Sequence, residues 1–237
     1  MTAERKRSTL TVAVALAAAL VFSGTMALQN VRDRISGGDF IPDKYAIHEK
    51  PISFSHKRKH LTLDYRRRHC EARAKDITIV PRIVVIHWTV NDNAAEARGY
   101  FNRETLQPDR PDIRRGGAVN VSAHYIVDRD GSIWRLMPDT WMARHVIGLN
   151  HCAIGIENVG GPAYPLTKEQ LEANAWLVMY LARKYPTIEY IIGHHEYLEF
   201  RSGPLWRALD PNYVPDKKAD PGDRFMKDLR ERLGIEE

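Results

Sequence analysis

The sequence predicts an α/β fold, a central mixed β-sheet flanked by α-helices. Three observations lead there. Ile83-Val84-Val85-Ile86 is an unbroken run of β-branched residues, the pattern of a strand buried on both faces. Residues 167–185 carry an apolar helical stripe behind a capping box of Thr167 and Gln170. Around these two segments, short strand patterns alternate with helical ones, which argues for a sheet covered by helices.

Asn93 to Arg103 reads as a helix, with Asp92 or Asn91 available as its cap. Ala123 to Val127 reads as a strand. Asp130-Gly131 is a turn signal, and Ser132 to Leu136 returns with an alternating pattern, so the two segments form a hairpin. Ala153 to Glu157 is another short strand. In the long helix, Leu171, Ala175, Trp176, Leu177, Val178 and Leu181 supply the apolar face, and Pro186 ends it. Ile188 to Ile192 forms a strand that stops at Gly193. Pro221 to Leu233 closes the chain as a helix, with Asp220 at its cap position and Pro221 at its first position.

The length of 237 residues suits one catalytic domain with extensions. Residues 1–27 are expected to be a signal peptide or an N-terminal membrane anchor. Arg5, Lys6 and Arg7 precede the uncharged apolar stretch Leu10 to Phe22, and small residues lead to Ala27. Extended to Leu28, the apolar run approaches the minimum spanning length, so cleavage and anchoring both stay open. Either way the chain is expected to be exported, to the periplasm or cell envelope. No Cys follows the apolar stretch to accept a lipid.

Residues 28–78 read as a basic N-terminal extension, and 79–237 as the catalytic domain. Within the extension, Arg66-Arg67-Arg68 could touch an anionic surface or form a solvated helical face. The formal charge of +5 is modest and partly sits in the first ten residues, so it says little about partners. No nucleic-acid motif is present, and export argues against such a partner. Cys70 and Cys152 are not paired as CxxC. A disulfide and two free thiols both fit.

Three polar residues follow or flank these elements. His87 directly follows the Ile83–Ile86 run, His194 follows Gly193, and Asp220 lies in Lys218-Ala219-Asp220-Pro221-Gly222. Two imidazoles and a carboxylate suit a catalytic zinc ion, leaving a fourth tetrahedral position for water. Spacing alone does not establish this, because no HExxH helix fixes two ligands locally. Taken singly, each His is an ordinary core or surface residue and Asp220 an ordinary cap. There is no GxSxG elbow, which excludes one class of serine hydrolase.

Five words occur in one order: Ile86-His87-Trp88-Thr89, Ser122-Ala123-His124-Tyr125 through Asp130-Gly131, Ile154-Gly155-Ile156-Glu157-Asn158 through Gly161, Gly193-His194-His195-Glu196, and Lys218 through Gly222. The series resembles the zinc N-acetylmuramoyl-L-alanine amidases of the AmpD type, which share a fold with peptidoglycan recognition proteins. The resemblance spans about residues 79 to 231.

It implies one Zn2+ ion held by His87, His194 and Asp220, the last a place that some relatives fill with Cys. It implies that Glu157 handles the proton and Lys218 meets developing negative charge. It makes His145, Trp88 and Asn158 substrate-binding candidates. The implied reaction is hydrolysis of the amide between N-acetylmuramic acid and L-alanine, on peptidoglycan or muropeptides, in wall remodelling, degradation or recycling. A non-catalytic peptidoglycan-binding module of the same fold is the alternative. The presence of all three candidate ligands favours the enzyme.

Adjacent residues of an extended segment point in opposite directions, so His194 and His195 are not expected to bind one metal. His124 is expected to be buried and hydrogen-bonded. The chain departs from the commoner pattern in a long gap between His194 and Asp220. Its segment 197–215, with Trp206 and Tyr213, suits a groove wall or a surface loop equally. Residues 101–117 are charged, carry prolines and could border the cleft. Some relatives place Tyr where this chain has Ala123, which supports the Glu-dependent branch.

Overall fold

The computed structural model describes residues 42–108 and 110–235. The expected signal or anchor, residues 1–27, lies outside the described residues. Among those described, no helix is long and apolar enough to cross a membrane.

The chain runs β1 (Ile47–Glu49), α1 (His56–His69), β2 (Ile83–Trp88), α2 (Ala94–Asn102), α3 (Pro111–Arg114), β3 (Tyr125–Val127), β4 (Ile133–Arg135), β5 (Ala153–Asn158), α4 (Lys168–Lys184), β6 (Tyr190–Gly193), a 3-10 helix (His194–Ser202) and α5 (Asp223–Arg232). The six strands form one mixed sheet in the order β1-β4-β3-β5-β2-β6. Only the β3–β4 hairpin is antiparallel; β2 runs parallel to both β5 and β6.

Strand alternation sorts side chains onto two faces. Val84 and Ile86 join a core with Ile154, Ile156 and Ile191, covered by α4 and α5 residues such as Leu177 and Leu229. Ile83, Val85, Ala153 and Ile192 face the opposite core, with Tyr197 and Phe200 of the 3-10 helix. The β2–β5 register pairs His87 with Glu157. The same odd-numbered alternation puts both on this second face. Because β2, β5 and β6 are parallel, His87, Glu157 and His194 also collect at one edge, at the strands' carboxyl ends, the usual place for ligands in such sheets.

Local caps follow from sequence chemistry. Thr167 and Gln170 form the expected capping box on α4. On α2 the cap is Asn93, whose side chain accepts from the Glu96 amide, rather than Asp92 or Asn91. The last helix starts at Asp223 behind Gly222, without a side-chain cap. Asp220 therefore does not cap it; its carboxylate turns toward the histidines.

Residues 42–78 of the expected extension pack onto the same sheet. β1 adds an edge strand beside β4. Arg58 of α1 is fully buried and donates to the carbonyls of Phe101 (2.8 Å) and Arg103 (3.2 Å). The triple-arginine run is a helical face with local partners: Arg66 pairs with Glu71, Arg67 donates to the Ala74 carbonyl, and Arg68 pairs with Asp210. Cys70 and Cys152 are buried free thiols.

Candidate metal centre and active site

A cleft of about 630 Å³ opens at that edge, with His87, His145, Glu157, His194, Lys218 and Asp220 among its lining. Nδ1 of His87 and Nδ1 of His194 each lie 3.0 Å from Oδ2 of Asp220. One donor atom from each of the three falls within 4.8 Å of the other two. Both histidines are buried. The set chosen from sequence thus converges, although the three residues come from β2, the start of the 3-10 helix and the loop before α5. Two imidazole nitrogens and a carboxylate oxygen form a donor set that fits a divalent cation.

The electrostatics follow from burial and sharing. Burial alone would raise the Asp220 carboxyl, but hydrogen bonds with His194 and His87 hold it well below the usual range. Burial and the neighbouring His87 push His194 down to about 4. Burial opposes charge on His87 too, but its hydrogen bond to Asp220 and the nearby Glu157 carboxyl raise it overall. Burial pushes Glu157 up to about 7, with His87 and Arg110 opposing and Asp220 assisting. Oε2 of Glu157 is buried and has no hydrogen-bond partner among the described residues.

The remaining candidates separate. His145 lines the cleft and sets Nδ1 3.0 Å from Nε2 of His87; burial holds its pKa well below normal. Its ring lies against Gly155, where an added Cβ would come within 2.8 Å of it. Lys218 lines the cleft with its ammonium 2.9 Å from Asp216. Trp88 also lines it, half-buried.

Asn158 lies away from the cleft, contrary to the substrate-binding expectation. It is fully buried and absent from the cleft lining. Its amide donates to the His87 carbonyl (3.1 Å) and its oxygen accepts from Asn174 (2.6 Å), so its polar atoms brace β2 and do not line the cleft.

His195 turns away from the cleft. Its backbone N–H donates to the Asp220 carbonyl (2.9 Å) and its ring sits 3.1 Å from Asp223. His124 is buried with a fixed tautomer: Nδ1 accepts from the Gly155 amide (3.0 Å), so Nε2–H donates to the Trp141 carbonyl (2.8 Å). The 101–117 segment borders the cleft through Arg110 and Ile113, and the 197–215 segment through Asn212 and Tyr213. Trp206 packs on Gly148 instead.

Sequence reasoning missed Asn150 and Asn174. Asn150 accepts from the backbone amides of His145 and Val146, both at 2.8 Å, and so sets the His145 loop. Asn174 backs Asn158. A signal existed for the latter: Gln170 and Asn174 interrupt the inner stripe of α4 at i,i+4 spacing, and buried polar residues need partners.

No curated protein sequence matches the chain. Among solved structures, it is similar to the N-acetylmuramoyl-L-alanine amidase LysC from Clostridium intestinale URNW. That match has 19% identity and a TM-score of 0.51, and covers 81% of this chain and 99% of that one. The endolysin amidase LysCS from the same organism gives 19% identity and a TM-score of 0.51, covering 84% and 100%. At such identities the likeness is one of fold. The model of the N-acetylmuramoyl-L-alanine amidase family matches residues 78–223, more than half of the chain. On that match the chain belongs to the N-acetylmuramoyl-L-alanine amidase family, hydrolases that act on peptidoglycan.

Proposed function

We propose that the cleft binds one zinc ion through His87, His194 and Asp220 and hydrolyses the amide between N-acetylmuramic acid and L-alanine. The observation that carries this reading is the convergence of those three donors beside the buried carboxyl of Glu157, whose Oε2 has no hydrogen-bond partner among the described residues. When bound, zinc supplies a Lewis acid that polarises a carbonyl and lowers the pKa of water.

The chain's own groups do the rest. Glu157, with its carboxyl near pH 7, accepts a proton from water at its free Oε2 and passes it to the leaving L-alanine nitrogen. An amide nitrogen leaves poorly until protonated, so this transfer governs bond cleavage. Lys218 exchanges its Asp216 partner for the developing oxyanion. His145 packs against His87 and orients its ring. Trp88 offers an aromatic wall to sugar or peptide.

On the same reading the protein acts on the wall from the periplasm or envelope. Residues 1–27 direct export or serve as an anchor, and residues 79–237 carry the catalysis. The test is mass spectrometry of purified peptidoglycan after incubation with the protein. Free stem peptides beginning at L-alanine are expected, and they should disappear with a chelator. Products that keep muramic acid joined to L-alanine would refute the reading.

A further inference from the structure

Val90 sits just past the end of β2, three residues beyond His87. That is no more than roughly 11 Å of chain from a candidate metal ligand. Its φ is +58°, and it is the only non-glycine residue with positive φ among the described residues. β-branched side chains rarely adopt this left-handed conformation, while Gly and Asn tolerate it. The backbone there is fixed, since the Val90 amide donates to the Gly160 carbonyl at 2.8 Å.

Strain of this kind is ordinarily offset by packing. Val90 gains little, because it is 71% exposed. It lines the cleft nonetheless. Five large apolar side chains are strongly exposed among the described residues, and two of them, Val90 and Val214, lie in the cleft lining on different loops. A strained, exposed valine aimed at a cleft is best explained by contact with something outside the chain, because strained backbone clusters at ligand clamps.

We propose that Val90, with Val214 from the other loop, forms an apolar lip that grips the methyl groups flanking the scissile amide. This rests on the amidase reading and deepens it. An N-acetylmuramoyl-L-alanine bond carries one methyl on the lactyl side and one on the alanine side, each on the carbon next to the amide. The lip makes the enzyme select for these methyls. A single methyl in an apolar pocket is worth about 10-fold in kcat/KM or more.

The test compares kcat/KM on three soluble substrates: the N-acetylmuramoyl-L-alanyl peptide, its glycyl counterpart, and its counterpart with a glycolyl group replacing lactyl. Wild type, Val90→Gly, Val90→Asn and Val214→Ser are measured. The wild type is expected to prefer the methyl-bearing substrate at one or both positions by about 10-fold. In both Val90 variants that preference should shrink by about 5-fold or more, with the loss in KM. Val214→Ser should shrink it as well. Both Val90 variants should melt no lower than wild type, because the new residues suit the backbone.

A preference that is absent in wild type, or unchanged in both Val90 variants, overturns the inference while leaving the amidase reading intact. Lower melting temperatures with unchanged preference overturn it too, since Val90 would then serve packing. A wild-type protein that cleaves none of the three overturns the amidase reading and this inference with it.

Discussion

At position 157, burial and the lack of a partner act on one carboxyl. Glu157→Gln keeps the shape but removes the proton site, so kcat should fall about 100-fold or more while bound metal is retained. Rates of stem-peptide release check this; a variant within about threefold of wild type would remove Glu157 from the mechanism. The proton-accepting form is the carboxylate. Activity should therefore fall as pH drops through about 7, and a bound cation, which favours the carboxylate, moves that limb lower.

His124 gives a separate stability signal. Burial pushes it down to about 4, so the unfolded chain binds the extra proton first. Its contribution is full above about pH 6.5 and is lost as pH falls toward 4, on the order of 3 kcal/mol at full effect. Urea denaturation across that window should show the loss in wild type and a flatter profile in His124→Gln. Position 220 shows how far residue identity can be read. The sequence offers Asp220 both as cap and as ligand. Only tertiary contact decides, and the carboxylate faces His87 and His194. Asn158 shows the same limit: a polar residue next to the Glu157 carboxyl reads as facing the cleft until its buried partners are known.

Among elements, α4 was legible because its capping box and apolar stripe are local facts. Thr167→Ala should lower stability by about 1 kcal/mol and leave kcat unchanged, measured by thermal unfolding and peptide release. The first helix was less legible. It buries Arg58, Thr62, Tyr65 and His69, which share one face at helical spacing but are mostly polar, so hydrophobic periodicity is silent there. Arg58 is one of its buried anchors, beside Tyr65 and His69. Arg58→Ala removes the donors to Phe101 and Arg103 and should destabilise by roughly 2 kcal/mol or more. A melting temperature equal to wild type would show that the helix is held otherwise. β1 escaped notice because three residues, Ile-His-Glu, give too short a pattern.

For the whole molecule, the sheet order explains the site. Placing β2 between β5 and β6, all parallel, brings residues far apart in sequence to one edge. The strands themselves could be read from β-branched runs, but their lateral order depends on long-range pairing that no local pattern contains. The stretches that wall the cleft, 110–115 and 212–220, are far apart in sequence and meet only in the folded chain. On the proposed reading this edge holds one metal ion on His87, His194 and Asp220. Elemental mass spectrometry of purified protein tests it directly. About one equivalent of zinc per chain is expected in the wild type and essentially none in His87→Ala, His194→Ala or Asp220→Ala. A wild-type chain that takes up no zinc, or folded variants that keep the full equivalent, would contradict it.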